Sequence, residues 1–233
     1  INLVSRVFPA VKVTRENIVF QFSGVRPLEY MHAKTTGQIT RDHSIMEDKI
    51  GDTPVYSLVG GKWTSFRAFS EQVADKTLAL LGKTRRANTR SLPIGGGRDY
   101  PVICLAQLEF INQLAAAYPS PNLHPKKLFE RYGTRSKDVL EYIRAADDQP
   151  LRTKSDWTVR EVEFLVKNEK AVHVDDLILR RSTLAWLGEV DLPLVKELSQ
   201  IMGSCLGWSD KQKEDEVNRT IELLKDRHGV VLA

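Results

Sequence analysis

The chain has 233 residues, 42% hydrophobic and 27% charged, which is enough to build one large domain or two small ones. Net charge is +4 and the pI about 9.0, with acids interleaved throughout. That balance suits small anions or loose attraction to anionic lipid heads and excludes a nucleic-acid reading, because no basic stripe with interleaved aromatics is present.

No apolar run approaches the roughly 18 residues of a spanning helix, and no signal-peptide pattern is read at the start. Cys104 and Cys205 are far apart and form no CxxC, so they are expected as buried thiols in a reducing compartment. The opening INLVSRVF reads as the end of an amphipathic helix already under way, so the expectation is a chain that begins inside a larger protein.

From Asn17 to Ser23, Ile18, Phe20 and Phe22 alternate with Val19, Gln21 and Ser23, which predicts a strand ended by Gly24 and Pro27. A polar loop follows. The segment from Gln38 to Met46 predicts a second strand with Ile39, Arg41, His43 and Ile45 on one face. An arginine on that face needs an acid or an anionic ligand, since burying an unpaired charge costs several kcal/mol. Its neighbour Asp42 points to the other face. Pro54 to Val59 predicts a third strand running into Gly60, Gly61 and Lys62, and a helix from about Thr64 to Leu81 carries Phe66, Phe69, Val73, Leu80 and Leu81 at helical spacing.

Residues 87–100, with one proline and the run Gly95-Gly96-Gly97, predict a flexible connector. Only helices are expected after about residue 101. Thr158-x-x-Glu161 reads as a capping box opening a helix through Lys167. Asp191 with Pro193 opens a helix whose Leu194, Leu198, Ile201 and Cys205 share a face and which Gly207 stops. Ser209-x-x-Gln212 caps the last helix, with Val217, Ile221 and Leu224 inward and Gly229 at its end. The fold class expected is α+β: part of a mixed-sheet domain followed by an all-helical domain. The boundaries are 1–86, a connector and first helix over 87–118, and helices over 119–233.

Chemistry concentrates in three early segments, each pairing a strand-like run with a cation: Arg26 in SGVRPL, Arg41 in ITRDHSI and Lys62 in VYSLVGGKWTSFR. Two glycines before Lys62 let backbone approach a ligand, and the helix start behind them offers free N–H groups and a positive dipole. That suits a phosphate or the carbonyl end of a flavin ring; a tight strand–helix turn with an exposed lysine fits the same residues. It is neither a Walker loop nor GxGxxG. Pro27 holds Arg26 extended, as bidentate recognition of phosphate or carboxylate requires, although a structural ion pair would also use it. His43 reads as a structural hydrogen bonder. The five histidines show no metal-ligand spacing, so no metal is expected. Asp175, Asp176, Arg180 and Arg181 read as a salt-bridged helix locking the helical half.

Taken in order with YGTRSKDVL, EVEFLV and VDDLILRRSTLAWL, these segments resemble the C-terminal portion of the FAD-dependent (aerobic-type) glycerol-3-phosphate dehydrogenase and oxidase family, over essentially the whole chain. The resemblance implies oxidation of sn-glycerol 3-phosphate to dihydroxyacetone phosphate, with hydride transfer to FAD and onward transfer to quinone or oxygen. It implies Arg26 and Lys62 at the catalytic centre, Arg26, Arg41 and Lys62 on the substrate, and Gly60, Gly61, Lys62 and Thr64 beside the flavin. Ser65 stands where the family usually has a second threonine, and keeps the hydroxyl.

The N-terminal dinucleotide fingerprint is absent. FAD is therefore expected in the intact enzyme and not on this chain alone, and the N-terminal FAD-binding portion of the same protein is an expected partner. The location implied is cytoplasmic, with a peripheral position on the inner membrane face as a variant; a homodimer is compatible. Two rivals share parts of this pattern: a non-catalytic helical module that binds a partner or a membrane surface, and a related oxidase acting on another small acid.

Overall fold

The computed structural model describes residues 1–25, 35, 42–60, 62–120 and 122–232. Two compact units divide the chain: Ser23–Pro93, and Ile94–Ala233 together with Ile1–Phe22. The chain is α+β, with a small two-stranded sheet and a mainly helical C-terminal part.

In the first unit, β1 (Ser44–Ile50) and β2 (Thr53–Val59) form an antiparallel hairpin, with Ser44 opposite Val59 and Ile50 opposite Thr53. The strand expected to end at Met46 runs on to Ile50, and its first residues, 38–41, lie outside the described residues. The extension has a local cause. Gly51 takes φ +61 at the first position of a two-residue loop, the left-handed geometry that matches hairpin twist. A 3₁₀ turn (Trp63–Ser65) leads into helix α2 (Phe66–Leu80), and α1 (Asn2–Val7) belongs to the other unit. The returning segment is pinned along α2: Arg85 pairs with Glu71 and Asp75, the Thr89 hydroxyl donates to Glu71, and Arg67 donates to the carbonyl of Leu92 at 2.7 Å.

The second unit strings together α3 (Cys104–Ala117), α4 (Pro125–Tyr132), α5 (Ser136–Arg144), α6 (Val159–Glu169), a π-helical turn (Asp176–Arg181), α7 (Leu192–Leu206) and α8 (Asp210–His228). No strand occurs here among the described residues; one isolated bridge joins Pro150 to Thr158. Leu140, Leu165, Ile178, Leu194, Met202 and Leu224 form the fully buried centre, and each such side chain contributes about 1.5–3 kcal/mol by leaving water. The ends of these helices follow local chemistry. The Asp191 carboxylate accepts from Leu194 N–H at 2.8 Å, Ser209 and Gln212 cap each other reciprocally, and Gly207 and Gly229 close their helices at φ +73 and +66.

Several expectations are corrected. Residues 18–22 join no sheet among the described residues. Gln21 exchanges bonds with His228 at the end of α8, through its N–H to the His228 carbonyl at 3.1 Å and its carbonyl to the ring Nδ1 at 2.9 Å. Phe20 and Phe22 both meet Trp186, so the two-residue period served aromatic packing instead of a ladder. The glycine run is no flexible connector. A Cβ on Gly96 would lie 1.8 Å from the Tyr132 carbonyl oxygen, and Thr134 donates to the carbonyls of Gly96 and Arg98. Thr158 caps α6 by accepting from Glu161 N–H, but the Glu161 carboxylate does not return the bond, because Arg131 and Tyr132 hold it. Cys104 is exposed and Cys205 half-buried, and both are free.

Candidate functional site

Of the predicted site residues, Gly60, Lys62 and Thr64 are described; Arg26, Arg41 and Gly61 lie outside the described residues. Gly60 ends β2 at φ +76, and a Cβ there would lie 2.5 Å from the Asp42 carbonyl oxygen. Its bare Cα therefore meets the backbone just before β1. The glycine is required by this close approach as well as by its left-handed backbone.

Lys62 continues extended, at φ −130 and ψ 155, immediately before the 3₁₀ turn. Ser65 closes that turn with its hydroxyl, which accepts from Lys62 N–H at 3.2 Å and donates to the Lys62 carbonyl at 3.1 Å. The Lys62 side chain is exposed, and its ammonium makes no ion pair among the described residues. Thr64 is exposed within the turn and Trp63 almost wholly so. The arrangement is a cation with no acid partner among the described residues and a fresh helix start, and both favour negative charge. Behind it, the His43 ring packs on Phe69 with centroids 4.3 Å apart, and its Nε2 lies 3.1 Å from Gln72 Oε1. That places His43 in a structural role tying the start of the hairpin to α2.

The helical unit holds a second polar concentration. Glu161 on α6 is buried and receives Arg131 Nη1 at 3.1 Å and the Tyr132 hydroxyl at 2.8 Å, while Arg131 also grips Asp156 and lies 3.8 Å above the Trp157 ring. Burial pushes the Glu161 carboxyl up to about 7 against the pull of Arg131. Around the π-helical turn, Asp175 takes Arg180 at 2.5 Å and also Arg219, and Glu216 takes Arg219 at 2.8 Å and His173 Nδ1 at 2.9 Å. Burial raises both carboxyls, yet the guanidinium and imidazole bonds outweigh it and leave each below its ordinary value. His173, Asp175 and Glu216 bring ligand-type atoms together, but Arg219 already spans the two carboxylates, so the cluster reads as an ion-pair lock. The sequence showed the Asp175–Arg180 spacing. It did not show Arg219 or Glu216, which arrive from α8.

A family model described as the C-terminal domain of alpha-glycerophosphate oxidase matches residues 87–213, more than half of the chain. A glycerol-3-phosphate dehydrogenase from Synechocystis sp. is 28% identical over 229 residues, covering 95% of this chain and 40% of the relative. A D-erythritol 1-phosphate dehydrogenase from Brucella abortus is 30% identical over 184 residues, covering 78% of this chain and 36% of the relative. The chain thus spans about two fifths of the length of these curated relatives. Among solved structures, the glycerol-3-phosphate dehydrogenase from Bacillus halodurans, complexed with FAD, superposes with a TM-score of 0.59 at 18% identity over 78% of this chain and 37% of that one. At that identity the likeness establishes the fold.

Proposed function

The chain belongs to the family of the C-terminal domain of alpha-glycerophosphate oxidase, and from that premise we propose that it is the C-terminal part of an FAD-dependent enzyme oxidising sn-glycerol 3-phosphate to dihydroxyacetone phosphate. The observation that carries this reading is the family match combined with the strand–turn–helix that presents Lys62 without a neutralising acid among the described residues. That cation beside a helix start fits an electron-rich flavin edge or a phosphate, so the residues present suit the group.

FAD, when bound, would supply the acceptor for the hydride that leaves the substrate carbinol carbon. In this reading Lys62 orients the substrate and favours negative charge that develops next to it. Arg26 and Arg41 neutralise the phosphate dianion through charge-assisted bonds. Gly60, Gly61 and Thr64 line the flavin with backbone and a small hydroxyl. The adenine half is held by the N-terminal FAD-binding portion of the same protein. Quinone or oxygen would be the onward electron acceptor. No described helix is long and apolar enough to cross a membrane.

A second substrate is favoured by the relative from Brucella abortus, whose name gives D-erythritol 1-phosphate. Both are phosphomonoesters of a polyol, and both would use the same cations. The test is Arg26→Met and Arg41→Met in the intact enzyme. Efficiency toward the phosphorylated polyol is expected to fall roughly 30- to 1,000-fold, about 2–4 kcal/mol, with flavin content near normal and activity on plain glycerol changed far less. Equal losses on glycerol and glycerol 3-phosphate in a folded, flavin-loaded variant would remove these arginines from the phosphate site. Comparing the two phosphorylated polyols on the unmodified enzyme decides between them.

A further inference from the structure

The helical unit contains a cavity of about 500 Å³ between the glycine turn Gly95–Gly97, the end of α4, the end of α6 and the π-helical turn. Four guanidiniums line it, those of Arg131, Arg135, Arg180 and Arg181, against the single carboxylate of Glu169. Glu169, in the lining, pairs with Arg135 and Arg181, and the remaining acids that hold these arginines stand outside the lining. Arg131 is anchored by Asp156 and Glu161, Arg135 by Asp138, and Arg180 by Asp175 and Asp176. Carboxylates behind and guanidinium edges in front are how a protein fixes arginines for anion recognition: the anchors remove rotamer freedom before a ligand arrives.

Donors remain for such a ligand. Arg180 spends Nη1 on both of its acids, leaving Nε and Nη2 without a protein partner among the described residues. Glu169 is held closely by Arg135 at 2.5 Å and more loosely by Arg181 at 3.5 Å, while Arg181 Nη2 donates to the Glu169 carbonyl at 2.9 Å, which fixes the Arg181 fork at the end of α6. The walls are rigid, since Gly96 and Gly133 pack backbone to backbone with no room for a Cβ. The rest of the lining is apolar or aromatic, including Tyr100, which stacks on Phe129 at 5.3 Å. A neighbouring cavity of about 650 Å³ shares three of the arginines, but Glu130, Asp156 and Glu189 line it too, which weakens its field.

We propose that the four-arginine cavity binds a phosphorylated organic anion of about nucleotide size, with its phosphates on Arg135, Arg180 and Arg181 and its organic body against Tyr100. The volume falls in the usual range for small-molecule sites, roughly 300–1,000 Å³. The site lies apart in sequence from Lys62 and from the residues assigned to the flavin, so its failure would leave the oxidoreductase reading standing.

The test titrates the 233-residue chain calorimetrically with ADP and with inorganic pyrophosphate, and maps hydrogen exchange with and without each. Saturable binding is expected, with protection at residues 95–97, 131–135 and 176–181. Arg181→Gln should weaken ADP about tenfold or more, and Arg181→Lys, which keeps charge but loses the fork, by less. Thermal melting verifies that both variants are folded; should Arg181→Gln fail to fold, the exchange map of the unmodified chain decides alone. No saturable binding at millimolar ligand, or protection confined to other segments, would overturn the proposal. So would undiminished binding by a folded Arg181→Gln variant. Flotation with phosphatidylglycerol and phosphatidylcholine vesicles separates the lipid source. Vesicle binding that depends on Arg181 without binding of ADP or pyrophosphate would reassign the arginines to a membrane headgroup and overturn the small-anion assignment.

Discussion

Among the described residues of 23–93, Phe69 is the one buried side chain, while Met46, Ile50, Leu58, Trp63, Phe66, Leu80 and Leu81 are exposed. Residues 94–233 instead close around a continuous core from Leu114 to Leu224, with buried carboxylates paired inside it. Both regions carry clear local signals: a glycine hairpin and a pinned helix in one, caps and glycine stops in the other. What differs is burial, and burial supplies most of the stability. The hairpin and α2 take their shape from turn chemistry and surface ion pairs such as Lys76 with Glu47, which contribute little each.

The sharpest way to break this contrast is a matched pair of truncations. Leu165→Ala, in the core of the helical unit, should cost about 2–5 kcal/mol, and Leu81→Ala, largely exposed, no more than about 0.5 kcal/mol. Denaturant unfolding of the chain, followed by circular dichroism, measures both. Equal losses would mean that residues 23–93 carry a core of their own.

A second effect is confined to the helical unit and depends on pH. The Glu161 carboxyl is raised by burial from its ordinary 4.5 to about 7. The folded state therefore keeps a proton that the unfolded chain releases, and this contribution to stability declines as pH rises from about 4.5 through 7, by roughly 3 kcal/mol in all. Asp175 and Glu216 shift the other way: their stabilisation is present above their ordinary values and is lost as pH falls through the lowered ones. Stability should therefore peak near pH 5 and fall toward pH 7.5, and Glu161→Gln should flatten that fall. A wild-type profile that rises between pH 5 and 7.5 would show that Arg131 and Tyr132 keep Glu161 ionised.

Glycines offer a finer comparison within one turn. A Cβ at Gly96 meets the Tyr132 carbonyl, whereas a Cβ at Gly97 meets nothing within 4 Å. Gly96→Ala should cost about 1–3 kcal/mol and Gly97→Ala little. Similar melting temperatures for the two variants would dissolve the packed turn and with it one wall of the arginine cavity.

What could be read from the chain divides along the same line. Asp191, Ser209, Gly207 and Gly229 were legible because a cap is settled by neighbours three or four residues away. The strand ending at Val59, α2 and the helical C-terminal part were legible from periodicity; the hairpin was not, because its first strand was expected over 38–46 and lies at Ser44–Ile50. Phe20 and Phe22 read as strand residues but could not announce Trp186 and His228 as their partners. Thr158-x-x-Glu161 satisfied a capping pattern, yet Glu161 went to Arg131 on another helix. The run Gly95–Gly97 looks the same in sequence whether it swings freely or packs on Gly133. The cavity of four arginines was illegible for the same reason, since α4, the 3₁₀ turn Gly133–Arg135 and the π-helical turn supply its members separately. At the candidate site, Lys62 and its strand–turn–helix setting were legible, while the need for Gly60 came from a carbonyl eighteen positions earlier.

The smallest expected effect bears on Lys62 itself. Ser65 is the only side chain among the described residues that bonds the Lys62 backbone, and it does so twice, to N–H and to carbonyl. Ser65→Ala should cost about 1 kcal/mol or less, because the turn is exposed and water can replace both bonds. Ser65→Thr keeps the hydroxyl and should be close to neutral in stability. The consequence for chemistry is separable from stability. If Lys62 must be held extended to orient the substrate, Ser65→Ala in the intact enzyme should lower kcat/KM toward glycerol 3-phosphate several-fold while flavin content stays normal, and Ser65→Thr should restore it. An alanine variant with unchanged kinetics would mean that the backbone of Gly60 and the start of α2 already fix Lys62, so that the hydroxyl serves only the turn.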